Sequence, residues 1–264
     1  MNGPVVVGVD GSPSSLAAVE TAAREAERRG VGLELAHALA WSSGQVLPGV
    51  APWDPDGAGL RDRVNEALTD AEWRARKVAP ELIITREVLV GEAVSVLESE
   101  ARAASLAVVG TRRVSGLRRL LHASIAGRLT AHGSCPVLVV RGRHNRTGPV
   151  VLACVPAAAR EAAEFAFAEA SERGVDLVVL HHHDRSPGNG SLSGLREKYP
   201  DVTVHSRPDR GRRHRALAEA SVGAQLVVAG VRRRGGTAAA LSAPDGRSIL
   251  RHAHCPVALV PSGK

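Results

Sequence analysis

Nearly the same sequence occurs twice along this chain, and the repeat restricts its possible folds more than any other feature. Four segments of the first half return in the same order in the second half. The pairs are Gly3-Pro4-Val5-Val6 with Gly148-Pro149-Val150-Val151, Arg29-Gly30-Val31 with Arg173-Gly174-Val175, residues 106–113 with 226–233, and Cys135-Pro136-Val137 with Cys255-Pro256-Val257. The spacing falls from 145 residues at the first pair to 120 at the last, so the second copy lacks about two dozen residues of its middle. A repeat of this length predicts two tandem domains.

Length and composition agree with two globular domains. The chain has 264 residues and a hydrophobic content of 44%, which is enough for two cores. Aromatic residues make up only 2%, so the cores must be built from Val, Leu, Ala and Ile. We predict a first domain over residues 1–143 and a shorter second domain over residues 148–264.

Targeting and cysteine patterns favour a reduced, cytoplasmic protein. No apolar run approaches the roughly 20 residues that a membrane span requires, and the first residues carry no basic segment followed by an apolar stretch. The 3 cysteines form no CxxC pair, which disfavours a disulfide framework and a zinc site. Cys135 and Cys255 occupy equivalent places before proline, where we predict buried residues at the starts of strands. We therefore expect no membrane partner.

The positive charge is concentrated in particular parts of the chain. The net charge is +7, and residues 101–145 contain eight arginines and no acidic residue. Proteins that bind single-stranded nucleic acid usually add aromatic side chains for base stacking, and these are scarce here. An anionic small ligand or a solvated surface explains the arginines at least as well. Nucleic acid is therefore disfavoured as a partner.

Short apolar strands alternate with amphipathic helices in both copies. In the first copy we predict strands at 5–9, 33–38, 82–88, 106–110 and 136–140, with helices at 14–29, 60–78, 91–104 and 120–132. In the second copy we predict strands at 150–155, 177–181, 202–205, 226–230 and 257–260, with a loop and a helical turn at 184–199. This alternation predicts an α/β fold in which a parallel sheet carries helices on both faces. Ligands of such sheets bind at the carboxyl ends of the strands, where Asp10 and Gly110 are placed.

The motifs in this order resemble the universal stress protein family. They are Val9-Asp10-Gly11-Ser12, Gly110-Thr111-Arg112-Arg113 followed by Ser124, and the run Cys135-Pro136-Val137-Leu138-Val139-Val140. The resemblance covers nearly the whole chain as a tandem pair. It implies two tandem five-stranded parallel-sheet domains of the adenine-nucleotide alpha-hydrolase-like fold, each with strand order 3-2-1-4-5. It also implies that the two fifth strands meet edge to edge as an intramolecular pseudo-dimer, and that two chains can associate as a homodimer.

The resemblance further implies a nucleotide site in the first domain, with ATP or another adenine nucleotide as cofactor and Mg accompanying the phosphates. The ATP-binding pattern of the family is glycine, two residues, glycine, nine residues, then glycine followed by serine or threonine. Gly110 and Ser124 match it, whereas Arg113 and Ala123 replace the second and third glycines. The implied site residues are Asp10, Gly11, Ser12, Ala38, Val109, Gly110, Thr111, Arg113, Ala123, Ser124, Ile125 and Ala126.

The chemistry of these residues leaves alternatives open. Arg113 either supplies a cation in place of lost backbone donors or fills the pocket with its side chain. By resemblance, Asp10 lies near the adenine or ribose and Ala38 lines the base pocket, but Asp10 could instead cap the following helix. A helix after Ser124 would present the N–H groups of Ile125 and Ala126 to a phosphate.

The second copy has lost most of this pattern. Val155 and Pro156 replace Asp10 and Gly11, and the motif positions are occupied by Gly230, Arg233, Ala243 and Pro244. We therefore predict that the nucleotide is confined to the first domain.

Other chemistry finds little support in the sequence. The run His181-His182-His183 could indicate a metal, but neighbouring side chains of a strand point to opposite faces, so we expect a structural role and no metal site. No nucleophile and base have the spacing of a hydrolase, and we predict no catalytic residues. The leading interpretation is a stress-response regulator or sensor that binds ATP in its first domain and is not an enzyme. The alternatives are a nucleotide-free interaction scaffold that recruits a regulatory protein partner, and an ATP-hydrolysing enzyme.

Overall fold

The computed structural model describes most of the chain in two compact units. The described residues are 3–39, 55–111, 119–132, 134–142, 147–153, 159–181, 189–209, 213–232 and 249–262. Contacts within the chain define one unit as Met1–Arg113 and the other as Val114–Lys264. The predicted domain boundaries at 1–143 and 148–264 stay a prediction. No helix of the described residues is long and apolar enough to cross a membrane.

The first unit is a parallel sheet covered by helices. Its strands are β1 (Val5–Gly8), β2 (Leu33–Leu39), β3 (Ile84–Val90) and β4 (Leu106–Gly110), and its helices are α1 (Pro13–Arg29), α2 (Pro55–Val78) and α3 (Ala93–Glu100). The strand order is β3-β2-β1-β4. Val7 of β1 lies opposite Leu35 on one side and opposite Val108 on the other. These four strands follow the predicted order.

Two observations place helices on both faces of this sheet. Arg86 of β3 reaches Glu72 of α2, with its Nη2 atom 2.6 Å from Oε2. The next residue, Glu87, instead acts on the carboxyl group of Glu34, which is also in contact with Glu100 at the end of α3. Because successive side chains of a strand point to opposite faces, α2 and α3 lie on opposite faces. The predicted arrangement is confirmed.

Helix α1 shows why this sequence folds in this way. Its buried side is made of small apolar residues, among them Ala18, Ala22 and Ala26, all with no exposed surface. Small side chains at helical spacing let the helix axis approach the sheet closely. The helix ends at Gly30, whose φ of 63° closes a left-handed cap that most residues avoid.

The second unit repeats the plan and adds strand β5. Its helices are α4 (Arg119–His132), α5 (Ala159–Arg173), α6 (Asn189–Lys198) and α7 (Arg213–Ser221), and its strands are β5 (Val137–Val140), β6 (Val150–Ala153), β7 (Leu177–His181), β8 (Val204–Pro208), β9 (Leu226–Arg232) and β10 (Val257–Ser262). The order is β5-β10-β9-β6-β7-β8. The five strands β6 to β10 are therefore arranged 3-2-1-4-5, which confirms the predicted topology for the second copy.

The two Cys-Pro strands pair with each other. β5 lies antiparallel to β10, with Val139 opposite Val257 and Val137 opposite Leu259. All four side chains are at most 1% exposed. The predicted edge-to-edge meeting of the fifth strands is confirmed, and it covers an apolar edge that would otherwise favour aggregation.

The cysteines that precede these strands are buried and free of disulfides. Burial raises the pKa of the Cys255 thiol to about 12, although the nearby Arg141 acts in the opposite direction. A thiol with a raised pKa carries little thiolate at neutral pH and is a poor nucleophile. Cys255 therefore has the structural role predicted for it.

Several element bounds differ from the sequence prediction. α2 begins at Pro55 instead of residue 60, and β3 lies two residues later than predicted. The expected helical turn of the second copy is α6, a helix of 10 residues. At the end of α6, Lys198 Nζ lies 2.7 Å from Glu164 Oε1 on α5. A tertiary contact of this kind cannot be read from the local sequence of α6. The Pro, Gly and Ser content of residues 40–59 predicts a long loop, but residues 55–59 belong to α2, and residues 40–54 lie outside the described residues.

Candidate functional site

A tight turn follows β1 at the carboxyl edge of the first sheet. Oδ1 of Asp10 accepts a hydrogen bond from the Ser12 backbone N–H at 3.0 Å and from the Ser12 hydroxyl. Such a side-chain contact two residues along the chain mimics a backbone turn. Gly11 between them has φ of 74°, and a Cβ there would lie 3.3 Å from the Ala67 side chain on α2. The turn therefore needs both the acid and the glycine.

Ser12 is the residue that caps α1. Its Oγ accepts a hydrogen bond from the Ser15 N–H at 3.3 Å, and Pro13 follows in the first turn of the helix. A serine cap and a proline just inside the helix are typical helix-start features. The alternative in which Asp10 caps the helix is corrected, because Asp10 holds the capping serine from outside the helix.

The Ser12 hydroxyl is fully engaged by its neighbours. It contacts Asp10 Oδ1 and the Ser15 N–H, and its Oγ lies 3.0 Å from the Ser14 Oγ. The Ser15 hydroxyl donates to the Ser12 carbonyl at 2.9 Å. The turn therefore presents the exposed Asp10 carboxylate to solvent, where it can accept hydrogen bonds from hydroxyl or amino groups of a ligand.

Gly110 ends β4 directly against this turn. A Cβ on Gly110 would lie 2.2 Å from the Ser14 carbonyl oxygen and 3.1 Å from the Ser15 nitrogen. The backbone of β4 therefore approaches the first turn of α1 with no room for a side chain. The motif glycine brings together the carboxyl ends of β1 and β4, as the sequence predicted for Asp10 and Gly110.

The remaining predicted residues of the first unit line the same edge. Val109 is 8% exposed, and Thr111 and Ala38 are half-buried. Ala38 lies near the end of β2, opposite Leu89 of β3. Together with Asp10 after β1, these residues lie at three neighbouring strand ends, the usual place of the ligand crevice in open α/β sheets.

His37 is a residue of this edge whose role the sequence did not identify. Its Nδ1 lies 2.9 Å from the Val9 carbonyl oxygen, so the ring ties the end of β2 to the end of β1 immediately before Asp10. The signal available in the sequence was the equivalent His181, which is buried at the end of β7, whereas His37 is half-buried.

The predicted phosphate-side residues belong to α4, which is part of the second unit. The helix begins at Arg119, so Ile125 and Ala126 lie in its interior, where backbone N–H groups normally bond within the helix. Their expected role as the first exposed donors of the helix is corrected for this reason. Ala126 has no exposed surface, and its carbonyl accepts the Thr130 hydroxyl at 2.6 Å. Arg113 and the side chains of Ala123 and Ser124 lie outside the described residues.

The second copy differs from the first at the position equivalent to Gly110. β4 ends at Gly110, whereas β9 continues beyond Gly230 to Arg232. Val231 and Arg232 lie opposite Pro261 and Ser262 of β10, and the Ser262 hydroxyl donates to the Val231 carbonyl at 3.3 Å. Residues that would begin a phosphate loop are therefore part of a strand here. Val155, Pro156, Arg233, Ala243 and Pro244 lie outside the described residues.

The part of the chain that the structure describes contains no candidate metal site. No group of three or more His, Cys, Asp or Glu side chains is placed there to hold a metal ion. His182 and His183 lie outside these residues.

Comparisons with known proteins agree with the motifs and the fold. The model of the universal stress protein family matches residues 1–141 and 191–261. A universal stress protein of Mycobacterium tuberculosis is 32% identical over 283 residues, covering 96% of this chain and 94% of the relative. One of Mycolicibacterium smegmatis is 32% identical over 289 residues, covering 97% and 96%. The crystal structure of a universal stress protein from Archaeoglobus fulgidus matches with a TM-score of 0.77 at 17% identity, covering 100% of this chain and 98% of that one.

Proposed function

The chain belongs to the universal stress protein family, and we propose that it is a stress-response regulator that binds an adenine nucleotide, ATP above others, in its first half. The observation that carries the proposal is the contact of Gly110 with the first turn of α1. This contact brings the motif glycine of β4 beside the turn formed by Asp10 and Ser12. A carboxylate, hydroxyl groups and closely packed backbone at a strand edge match the polar and anionic parts of a nucleotide.

Each part of the proposed site has a chemical task. Asp10 would accept hydrogen bonds from ribose hydroxyls or the adenine amino group, and Ala38 and Val109 would contact the base. Gly110 and Thr111 would approach the phosphates by their backbone, while Arg113 would supply a positive charge. Magnesium, if bound with ATP, would be held mainly by phosphate oxygens.

The proposal places the nucleotide in the first half because the second half uses the equivalent segment differently. Strand β9 runs on to Arg232 and pairs with β10 as far as Ser262. Backbone N–H and C=O groups used in a strand ladder are not available to surround a phosphate. We therefore expect one nucleotide per chain.

A regulatory role fits the site better than rapid catalysis. The Ser12 hydroxyl both contacts Asp10 and caps α1, so it is committed to the turn. A nucleophile needs a free hydroxyl beside a base that can take its proton. Binding that changes the packing of the turn, and not bond cleavage, is the expected consequence of occupancy.

The test uses the purified full chain. Small molecules released on denaturation are identified by mass spectrometry, and isothermal titration calorimetry of the emptied protein measures ATP, ADP and adenosine. We expect saturable binding of ATP with one site per chain. Two sites per chain would place a nucleotide in the second half as well. No binding of any of the three would favour the nucleotide-free scaffold.

A further inference from the structure

Glu34 is a carboxylate within the parallel sheet of the first unit. It is the second residue of β2 and lies in register with Val6 of β1 and Thr85 of β3. Its Oε1 atom is buried, and no donor of the described residues reaches it. A buried carboxylate oxygen without a donor carries a desolvation cost that its charged form cannot recover.

The groups facing Glu34 make the charged form still less favourable. On this face α3 contributes Glu100, whose carboxyl group is in hydrogen-bonding contact with Glu34, and β3 contributes Glu87. β1 contributes only the apolar Val6 at the register position. Helices α1 and α2 pack against each other on the opposite face, where α2 pairs with Arg86. The charges that act on Glu34 are therefore both negative.

Two carboxyl groups in hydrogen-bonding contact are stable when they share one proton. The protonated group then donates to the charged group, and the repulsion between them is removed. Burial first, then Glu100, and then Glu87 raise the pKa of Glu34 from 4.5 to about 7. The pair thus exchanges its proton near neutral pH.

We propose that Glu34 and Glu100 form a proton-binding site that holds the end of α3 on β2 when the proton is bound and loosens it when the proton leaves. In the bound state the Glu34 O–H donates to the Glu100 carboxylate. When this proton passes to solvent, two adjacent carboxylates face each other beside Glu87. Separation of the end of α3 from β2 then relieves both repulsion and desolvation.

Helix α3 is placed to pass this change to the candidate site. A Cβ on Gly8 would lie 3.1 Å from Leu97 Cδ1, so α3 packs directly on the end of β1, two residues before Asp10. The segment after α3 is anchored to the start of β1 by the Ser105 N–H, which donates to the Pro4 carbonyl at 2.9 Å. The proton site itself needs no nucleotide, and only its effect on ligand affinity rests on the proposed function.

The direction of the pH dependence follows from the raised pKa. The folded chain binds this proton more tightly than the unfolded chain, so its stabilisation is fully present below pH 4.5 and is lost as the pH rises through about 7. A fall of one pH unit centred on the midpoint raises occupancy from roughly a quarter to roughly three quarters.

The experiment follows the Glu34 carboxyl carbon by NMR in the full chain from pH 4 to 9, with Glu34→Gln to assign the signal. We expect a midpoint near 7 in the native chain, and a midpoint lower by about one unit or more in Glu100→Gln. In parallel, hydrogen exchange measures the Ala101 amide, which donates to the Leu97 carbonyl at 2.9 Å. Its protection factor should fall across the same pH range in the native chain and stay constant in Glu34→Gln.

Glu81→Gln, a change at an exposed carboxylate before β3, serves as the control and should leave both profiles unchanged. A native midpoint between 4 and 5, or a midpoint that Glu100→Gln does not move, would overturn the shared proton. A constant protection factor of Ala101 through the Glu34 titration would overturn the loosening of α3. If Glu34→Gln does not fold, Glu100→Gln still tests the pair, because Glu34 remains in place.

Discussion

The carbonyl oxygen of Ser14 lies only 2.2 Å from the position that a Cβ on Gly110 would occupy. The end of β4 and the first turn of α1 therefore meet backbone against backbone. Gly110 is not one of the described glycines with positive φ. Glycine is therefore required at this position because there is no space for a side chain, and not because of its backbone conformation. The motif glycine serves the protein structure before any ligand is bound.

Gly110→Ala should destabilise the chain, because the added methyl group must displace the start of α1. We expect a loss of about 1–3 kcal/mol in the free energy of unfolding, measured by chemical denaturation. Gly194→Ala is the matched control, since a Cβ there meets nothing within 4 Å and the residue lies within α6. That change should instead stabilise by about 0.5–1 kcal/mol. Equal effects of the two substitutions would contradict the close contact of Gly110 with Ser14.

Ser12→Ala should remove the cap of α1 and release the Asp10 side chain from the turn. The expected cost is about 0.5–2 kcal/mol of stability, measured by thermal unfolding in the absence of ligand. Ser14→Ala provides the comparison, because Ser14 contacts the Ser12 hydroxyl at 3.0 Å but does not cap the helix. A larger loss for Ser14→Ala than for Ser12→Ala would show that the cap is assigned to the wrong residue.

Substitutions of Asp10 should separate its role in the turn from its role in binding. Asp10→Asn keeps an oxygen that can accept the Ser12 N–H, so the fold should be retained, whereas ATP affinity should fall by roughly tenfold for a lost charge-assisted hydrogen bond. Calorimetry with ATP measures the change. Asp176→Asn is the control, because Asp176 pairs with His205 at 2.9 Å and precedes β7 at the amino end of its strand. Unchanged ATP affinity in Asp10→Asn would remove Asp10 from the proposed site.

Val139→Pro should detach β5 from β10. The Val227 N–H on β9 donates a hydrogen bond to the Pro256 carbonyl, so the backbone of Pro256 faces β9. Because backbone groups alternate in direction along a strand, those of Val257 and Leu259 face β5. Proline at position 139 removes the N–H opposite Val257. The Val257 carbonyl then stays buried without its donor, which should lower the free energy of unfolding by about 1–3 kcal/mol.

Limited trypsin digestion after Arg141 measures this detachment. Val139→Thr, which retains the N–H and the branched shape, should resist trypsin better than the proline variant. Indistinguishable digestion of native and Val139→Pro chains would mean that the β5–β10 ladder contributes little to local stability.

Much of the fold was open to prediction because its determinants are local and repeated. The strand residues Val5, Val6 and Val7 have the apolar pattern of a buried parallel strand, and the following Ser12-Pro13 step has the chemistry of a helix start. Alternating strands and helices leave few possible sheet topologies. The family resemblance implied the strand order 3-2-1-4-5, and the second copy has this order.

The sequence also predicted where two of the candidate site residues lie in the fold. Asp10 and Gly110 were expected at neighbouring strand ends, and the structure brings their segments together at the first turn of α1. The sequence did not show that Ile125 and Ala126 lie in the interior of α4. The start of a helix depends on tertiary contacts as well as on capping residues. The identity of the bound nucleotide stays a prediction.

By itself the sequence determined the duplication, the alternation of strands and helices, and the loss of motif residues such as Asp10 from the second copy. These properties depend on the order of residues along the chain and can be recognised there. Only the tertiary structure decided that the Ser14 carbonyl leaves no room for a side chain at position 110 and that Glu34 faces Glu100. Both relationships join residues far apart in sequence, and their energies depend on separation, burial and the charges nearby. None of these quantities exists until the sheet and its helices have packed together.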